Sequence, residues 1–372
     1  MLKNLLNAYS DVFRLAYTGY SYKQLRNIFP SYNSQIIANA IYNTRYLRKS
    51  VLKIHSYPKK FEQNLFLRKQ DYRIEGNKVS IIYKPRNRLV LNVFPTGKQL
   101  EKMREGRVKG ARLVEKEGNF FLNVVVEKEV KLSLEECKTI IGVDIGINYL
   151  AVCSTFDGKK FGNPLFFKGG EWKHLCRRQR NISPEKWKHL TNRKNEILHT
   201  VAKRIVEYAK RFEKPCIVME NLKRMRSGKT YNKWNNFLLS FWARRKLQKL
   251  IEYKAKWEGI PVVYVNSAYT SVICHRCGSK GKREGSVFKC LNCGKEYDSD
   301  ANASMNVAKR FRQLLDELKA MTGKRSLLDL SSSEEGKTYL PRQAYIQPGN
   351  GKQMNGMIAT WTVSLPLGVG GD

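Results

Sequence analysis

The chain has 372 residues, which at roughly 100–200 residues per domain means two or three domains and excludes a short peptide or a lone finger. Its 69 lysines and arginines against 32 aspartates and glutamates leave a formal charge of +37, the balance of a chain that meets a long polyanion, so nucleic acid is the first partner to expect. No segment reaches the roughly 18 uninterrupted apolar residues of a membrane span, and the N-terminus lacks a secretion-signal pattern, so no membrane partner and a cytoplasmic location are expected.

Residues 1–62 read as helices. Leu5, Val12, Phe13, Leu15 and Ala16 mark the first, and Thr18 to Ser21 breaks it. Ser21 is expected to cap a second helix carrying Leu25 and Ile28, and Ser34 a third carrying Ile36, Ile37, Ala40 and Ile41. The first 60 residues hold ten lysines and arginines against Asp11 alone, interleaved with tyrosines such as Tyr9, Tyr17, Tyr20, Tyr22 and Tyr42. Basic side chains can hold phosphates while tyrosine rings stack on unpaired bases. Alternatively, the rings cover the core of a small bundle.

Over 63–132 the apolar period becomes two, in Val79–Tyr83, Arg88–Phe94, Ala111–Val114 and Asn119–Val126, which predicts an antiparallel sheet. A polar linker at 131–138 marks a boundary, and 133–323 reads as a second domain. Its first strand, Ile140–Asp144, ends in a carboxylate; Tyr149–Phe156 and a run ending at Phe167 follow. A strongly basic helical region comes next, in which Ser183-Pro184 restarts a helix whose apolar face carries Ile197, Leu198, Val201, Ile205 and Tyr208. Pro215–Glu220 is another strand ending in a carboxylate, followed by a basic loop, a helix from about 234 to 258, a strand over 261–265, a cysteine cluster, and a helix from about 300 to 322. Residues 324–372, rich in Ser, Gly, Gln and Asn, are expected to be a disordered tail. The competing reading is that Trp361, Val363, Leu365 and Leu367 dock as a late strand.

Cys137, Cys153, Cys176 and Cys216 are scattered singly and read as free thiols. The others form two Cys-x-x-Cys knuckles, Cys274/Cys277 and Cys290/Cys293, twelve residues apart. Each presents two thiolates to one tetrahedral Zn²⁺, and four thiolates leave no open position for water, so a structural zinc ribbon is expected over 272–296. Gly278 and Gly294 follow the knuckles where a tight turn needs positive φ. His275 is read as a surface residue, and Lys280, Lys282, Arg283 and Lys289 as contacts to a phosphate backbone.

Asp144 and Glu220 end apolar strands, where an ionised group is costly unless it binds a cation or is well hydrogen-bonded. Asp300 opens the last helix. Brought together, these three would make an oxygen-rich site for Mg²⁺, and two such ions can activate water and stabilise the leaving oxygen of a phosphodiester. Asp298 is read as an ordinary turn residue.

Order and spacing of these features resemble the RuvC-like nuclease domain of the transposon-encoded TnpB family, relatives of the type V CRISPR effectors. The matching stretches are Gly142–Ala151, Val218–Leu222, Leu250–Ala255, Ala268–Gly278 and Asp298–Ala303. The resemblance covers about 140–310. It implies a multidomain α/β and β protein: a helical recognition part at 1–62, a β wedge part at 63–132, and an RNase H-like (RuvC) nuclease domain at 133–323 with the ribbon inserted. Many family members open on a β strand, whereas this chain opens in a helix, which leaves the completeness of the wedge sheet open.

By the same resemblance the chain would be an RNA-guided endonuclease. It would take a structured guide RNA from the transposon end, check a short adjacent motif, and cut double-stranded DNA in one site. Asp144, Glu220 and Asp300 would be the Mg²⁺-binding catalytic triad. The alternatives are a nuclease-silent RNA-guided DNA-binding protein and an RNA-free RNase H-like transposase or resolvase.

Overall fold

The computed structural model describes residues 2–54, 64–134, 136–221, 244–322, 344–346 and 357–368. The chain divides into two compact units, Met1–Glu129 with Ile358–Asp372, and Val130–Met357. Among the described residues no helix is long and apolar enough to cross a membrane.

The first unit opens with α1 (Leu2–Thr18), α2 (Tyr22–Ile28) and α3 (Ser34–Ile54). Leu2, Leu5, Leu6, Tyr9, Val12 and Ala16 make one buried stripe on α1 at helical spacing. Ser21 caps α2 in a reciprocal box: the Gln24 N–H donates to Ser21 Oγ at 3.4 Å, and the Ser21 N–H to Gln24 Oε1 at 2.9 Å. Ser34 does not cap α3. Asn33 does, its Oδ1 accepting from the Gln35 N–H at 2.8 Å, because the planar amide reaches the second free N–H of the turn from one residue earlier. The tyrosines divide between the two readings: Tyr9 lies in the core, whereas Tyr20, Tyr22 and Tyr42 are exposed.

Strands β1 (Asn64–Leu67), β2 (Tyr72–Glu75), β3 (Lys78–Lys84), β4 (Asn87–Val93), β5 (Arg107–Lys116) and β6 (Asn119–Val130) follow, with a short α4 (Gly97–Arg104) between β4 and β5. Thr96 and Gln99 start α4 with the same capping box as α2, a signal that the Thr-x-x-Gln spacing carried.

The expectation of a disordered tail over 324–372 fails at 344–346, a short strand of the second unit, and at 357–368. The latter residues form β16 (Met357–Gly368) in a seven-stranded sheet ordered β1-β5-β6-β16-β4-β3-β2. Leu367 pairs antiparallel with Val93, and Val363, Leu365 and Leu367 are buried while Thr362 and Ser364 are exposed. The alternation is short and flanked by glycines, so it becomes meaningful only when the strands on either side are in place. The Trp361 side chain, residues 323–343 and 347–356, and the basic loop after Asn221 lie outside the described residues.

The second unit is a six-stranded sheet. β7 (Thr139–Asp144), β8 (Tyr149–Phe156) and β9 (Leu165–Lys168) form an antiparallel meander. β10 (Pro215–Glu220) and β11 (Val262–Val265) add parallel to β7's other side, and β15 (Ala344–Ile346) closes that edge antiparallel to β11. The order is β15-β11-β10-β7-β8-β9. α5 (Gly170–Arg180), α6 (Trp187–Ala209) and α7 (Arg244–Trp257) cover one face, where Leu198, Val201, Ile205 and Ile251 meet Ile141, Val143, Ile217 and Met219. α8 (Ser299–Thr322) covers the other, where Val307, Ala308 and Phe311 meet Ile140, Cys216, Val218 and Val263. Gly142 lets α8 approach: a Cβ there would lie 2.1 Å from the Ser304 carbonyl oxygen. Between β11 and α8 a three-stranded ribbon is inserted, β12 (Gly281–Glu284), β13 (Val287–Cys290) and β14 (Glu296–Asp298).

Candidate active site and metal-binding ribbon

The period of two along β7 and β10 decides where their last side chains go. On β7, Ile140 and Gly142 face α8, so Asp144 does too; on β10, Cys216 and Val218 face α8, so Glu220 does too. The parallel register pairs Val143 with Met219, which sets Asp144 beside Glu220 at the same end of the sheet. Asp300 joins them from the first turn of α8, a turn capped by Asp298 Oδ1, which accepts from the N–H groups of Asp300 at 3.0 Å and Ala301 at 2.9 Å. Asp298, expected to be an ordinary turn residue, is the N-cap of this helix.

Desolvation at the strand ends, then the charges of Glu220 and Asp300, push the Asp144 carboxyl well above the usual carboxylate range, against the pull of Arg283. Burial likewise raises Glu220, opposed by its Thr270 hydrogen bond and by Arg310 and Arg244. The three carboxylates are near enough to repel. They are not gathered as tightly as the cysteines, which among the described residues form the cluster with all ligand atoms within 4.8 Å of one another.

Several side chains at this site meet partners that local sequence does not reveal. Arg283, on β12, donates to Asp300 Oδ1 at 2.9 Å; expected beside the ribbon's phosphate-contacting lysines, it is turned by the fold onto a carboxylate. Lys289 similarly pairs with Glu296 at 2.9 Å. The buried Thr270 hydroxyl donates to Glu220 Oε1, and Gln248 Nε2 donates to the Glu220 carbonyl at 2.8 Å. Asn302, fully buried, ties the ribbon's entry to α8: its Nδ2 donates to the Ile273 carbonyl at 2.8 Å and its Oδ1 accepts from the His275 N–H at 3.0 Å. Asn306 adds bonds to the Thr270 and Ile273 carbonyls. The spacing of Asn302 and Asn306 by one helical turn was the available signal.

His275 is not a surface residue. It is half-buried, its ring hydrogen-bonded to Asn302 at 3.0 Å and packed edge-on against Phe161 and Tyr297, because α8 comes up against the knuckle. Burial first, and nearby cations, lower its pKa.

In the ribbon the Sγ atoms of Cys274 and Cys293 are 3.8 Å apart and those of Cys277 and Cys290 3.4 Å. A tetrahedron of thiolates at about 2.3 Å from zinc has edges near 3.8 Å. Gly278 and Gly294 take φ of +77° and +66°, as the knuckle turns require. The Ser279 backbone N–H holds the Cys277 thiol down at about 6. The Lys295 backbone N–H also favours the Cys293 thiolate, but burial and the neighbouring sulfurs push that thiol up to about 11. Crowded thiols do not all ionise without a cation among them, and the residues present fit one metal ion.

A family model described as Cas12f1-like, TNB domain, matches residues 245–307, from α7 through the ribbon into α8. "TnpB-like protein MJ0751" of Methanocaldococcus jannaschii is 29% identical over 266 residues, covering 64% of this chain and 92% of that protein. The chain is thus similar to TnpB-like proteins and, over its second unit, to a Cas12f-like domain. A second relative, "CRISPR-associated endodeoxyribonuclease Cas12f2" of a Micrarchaeota archaeon, is 32% identical over 219 residues, 51% of this chain and 40% of the relative. A third, "Putative RNA-guided DNA endonuclease InsQ" of Escherichia coli, is 25% identical over 229 residues, 54% of this chain and 56% of that protein. The matched region thus spans less than two thirds of the length of both endonuclease relatives.

Proposed function

We propose that this chain is an RNA-guided DNA endonuclease that hydrolyses phosphodiester bonds with Mg²⁺ at Asp144, Glu220 and Asp300. The observation that carries this is the convergence of the three carboxylates at one end of the β7–β10 sheet. The relatives' names, which include an endodeoxyribonuclease and an RNA-guided DNA endonuclease, support the same reading.

Each residue has a distinct task. Asp144 and Glu220 offer carboxylate oxygens suited to a hard cation side by side; burial raises the proton affinity of both, and for Asp144 the neighbouring carboxylates add to it, a charge that a divalent cation would compensate. Bound Mg²⁺ would supply an activated water and charge stabilisation at the leaving oxygen. Thr270 and Gln248 fix the Glu220 side chain and carbonyl. Arg283 neutralises Asp300 and, released from it, would offer its charge to the phosphate. The cysteine tetrad would hold one structural Zn²⁺, supporting the ribbon that carries Arg283 and the Asn302 contacts, with no open position for hydrolysis. The +37 charge suits a chain that holds a structured guide RNA and a double-stranded DNA target by their backbones, next to a short adjacent motif.

A second reading, an RNA-guided DNA-binding protein without nuclease activity, is favoured by one observation, the Arg283–Asp300 ion pair that ties up a ligand carboxylate. Purifying the chain, sequencing the RNA that copurifies, and offering a duplex complementary to its variable end separates the readings. Cleavage that needs both the RNA and Mg²⁺ is expected; binding without cleavage selects the second reading, and absence of a discrete RNA sinks both.

A further inference from the structure

The turn between β11 and the ribbon holds a side chain that packing does not explain. Tyr269 takes φ +65°, the left-handed region that a bulky aromatic residue rarely enters. The turn needs that conformation: the Tyr269 carbonyl accepts from the Val272 N–H at 3.1 Å and the Ile273 N–H at 3.2 Å, bonds that a glycine would make with less strain. The ring gains nothing visible in return. It is 64% exposed, more than any other large apolar side chain among the described residues, and among those residues it makes no hydrogen bond, ring stack or cation contact. Val272, on the same turn, is also exposed.

Position supplies the reason. The next residue, Thr270, is buried and holds Glu220 by its hydroxyl, and consecutive Cα atoms are only about 3.8 Å apart. On the other side of the turn Arg310 donates to the Asn266 carbonyl and lends its charge to Glu220. A turn pinned this firmly to the carboxylate site presents an unpartnered aromatic face to whatever strand approaches it. Base–aromatic stacking is tolerant of sequence, which suits a nuclease that must cut any guided target.

Resting on the proposed nuclease activity, we propose that Tyr269 is a substrate-binding residue whose ring stacks on a base of the DNA strand beside the phosphodiester being cut, with Val272 as the adjoining apolar ledge. The ring holds the strand so that the phosphate between its bases lies at Asp144, Glu220 and Asp300.

The test uses the complex purified with its own RNA, a matching duplex, and first-order cleavage rates at saturating complex. Tyr269→Gly should cut about tenfold more slowly, within the range that a lost stack of one base gives, while its thermal midpoint is unchanged or higher because the turn is relaxed. Tyr269→Phe should cut at the wild-type rate. Replacing single nucleotides around the mapped cut by abasic ones should find one position at which wild type slows by a similar factor and Tyr269→Gly slows no further. Wild-type cleavage with an unimpaired Tyr269→Gly variant, or with abasic and Tyr269→Gly effects that multiply at every position, overturns the assignment while leaving the nuclease reading intact. A wild-type complex that binds its target and does not cut overturns the nuclease reading itself, and this assignment with it.

Discussion

The cysteine ribbon and the carboxylate site are both clusters of side chains of metal-binding type in the same unit, yet they are assembled in opposite ways. The four cysteines lie within 20 residues of sequence and meet through two local turns and a hairpin. The three carboxylates span Asp144 to Asp300 and meet only because two strands pair in one register and a helix packs on the matching face. The ribbon can therefore be gathered by its metal, whereas the carboxylate site is gathered by the hydrophobic core at the expense of repulsion among its own charges.

The largest break expected between the two is in catalysis. Asp144→Ala, Glu220→Ala and Asp300→Ala should each reduce cleavage by roughly a thousandfold or more, on the order of losing a main transition-state stabiliser, with RNA and target binding retained in filter or gel assays. Asp298→Ala should cost about 1 kcal/mol as a lost helix cap and leave cleavage measurable. A dead Asp298 variant beside an active Asp300 variant would reverse their roles.

Next in size is the ribbon's dependence on its metal. Elemental analysis should find one zinc per chain, and Cys274→Ser, Cys277→Ser, Cys290→Ser or Cys293→Ser should each lose it, lower the thermal midpoint and reduce cleavage indirectly. Full activity from zinc-free protein resupplied with Mg²⁺ alone would remove the ribbon from any supporting role.

A smaller effect tests the joint between the two clusters. Asn302→Ala leaves the His275 N–H and ring without their Asn302 partner, while the Ile273 carbonyl keeps its bond from Asn306, at a cost of about 1–3 kcal/mol. Hydrogen exchange should rise at 270–283 with little change in β7 and β10. Equal loosening of both regions would mean that the ribbon and the sheet do not unfold separately.

The smallest effect is on the carboxylate side alone and depends on pH. Because the folded-state pKa of Asp144 is raised, the native chain keeps a proton that the unfolded chain has released, so stability falls as pH rises from the ordinary carboxylate range through the folded value. In metal-free buffer Asp144→Asn should therefore melt no higher than wild type below about pH 4, the ordinary aspartate range, and progressively higher above it. A stabilisation independent of pH would assign the effect to packing.

The same contrast governs how much could be read without the fold. The knuckles at Cys274 and Cys290 were legible with their ligand function because ligand, spacing and turn glycine are all local. Asp144 and Glu220 were legible as candidates because a carboxylate ending an apolar strand is conspicuous. Their partners were not: nothing in the order of residues says that Arg283 meets Asp300, that Thr270 holds Glu220, or that His275 turns inward onto Asn302, since each contact joins residues from different elements.

The sequence alone determined the basic charge that selects a polyanion, the strand periods, the helix caps at Ser21 and the cysteine tetrad. These rest on composition, on backbone geometry repeating every two or 3.6 residues, and on hydrogen bonds that close within a few positions. Tertiary structure decided the rest. It made a strand of 357–368, because Val363, Leu365 and Leu367 gain burial only between β6 and β4, and it gave Gly142 its purpose, because only the approach of α8 forbids a side chain there. Burial and long-range pairing are properties of the packed chain, and a local pattern acquires them only when its neighbours in space are known.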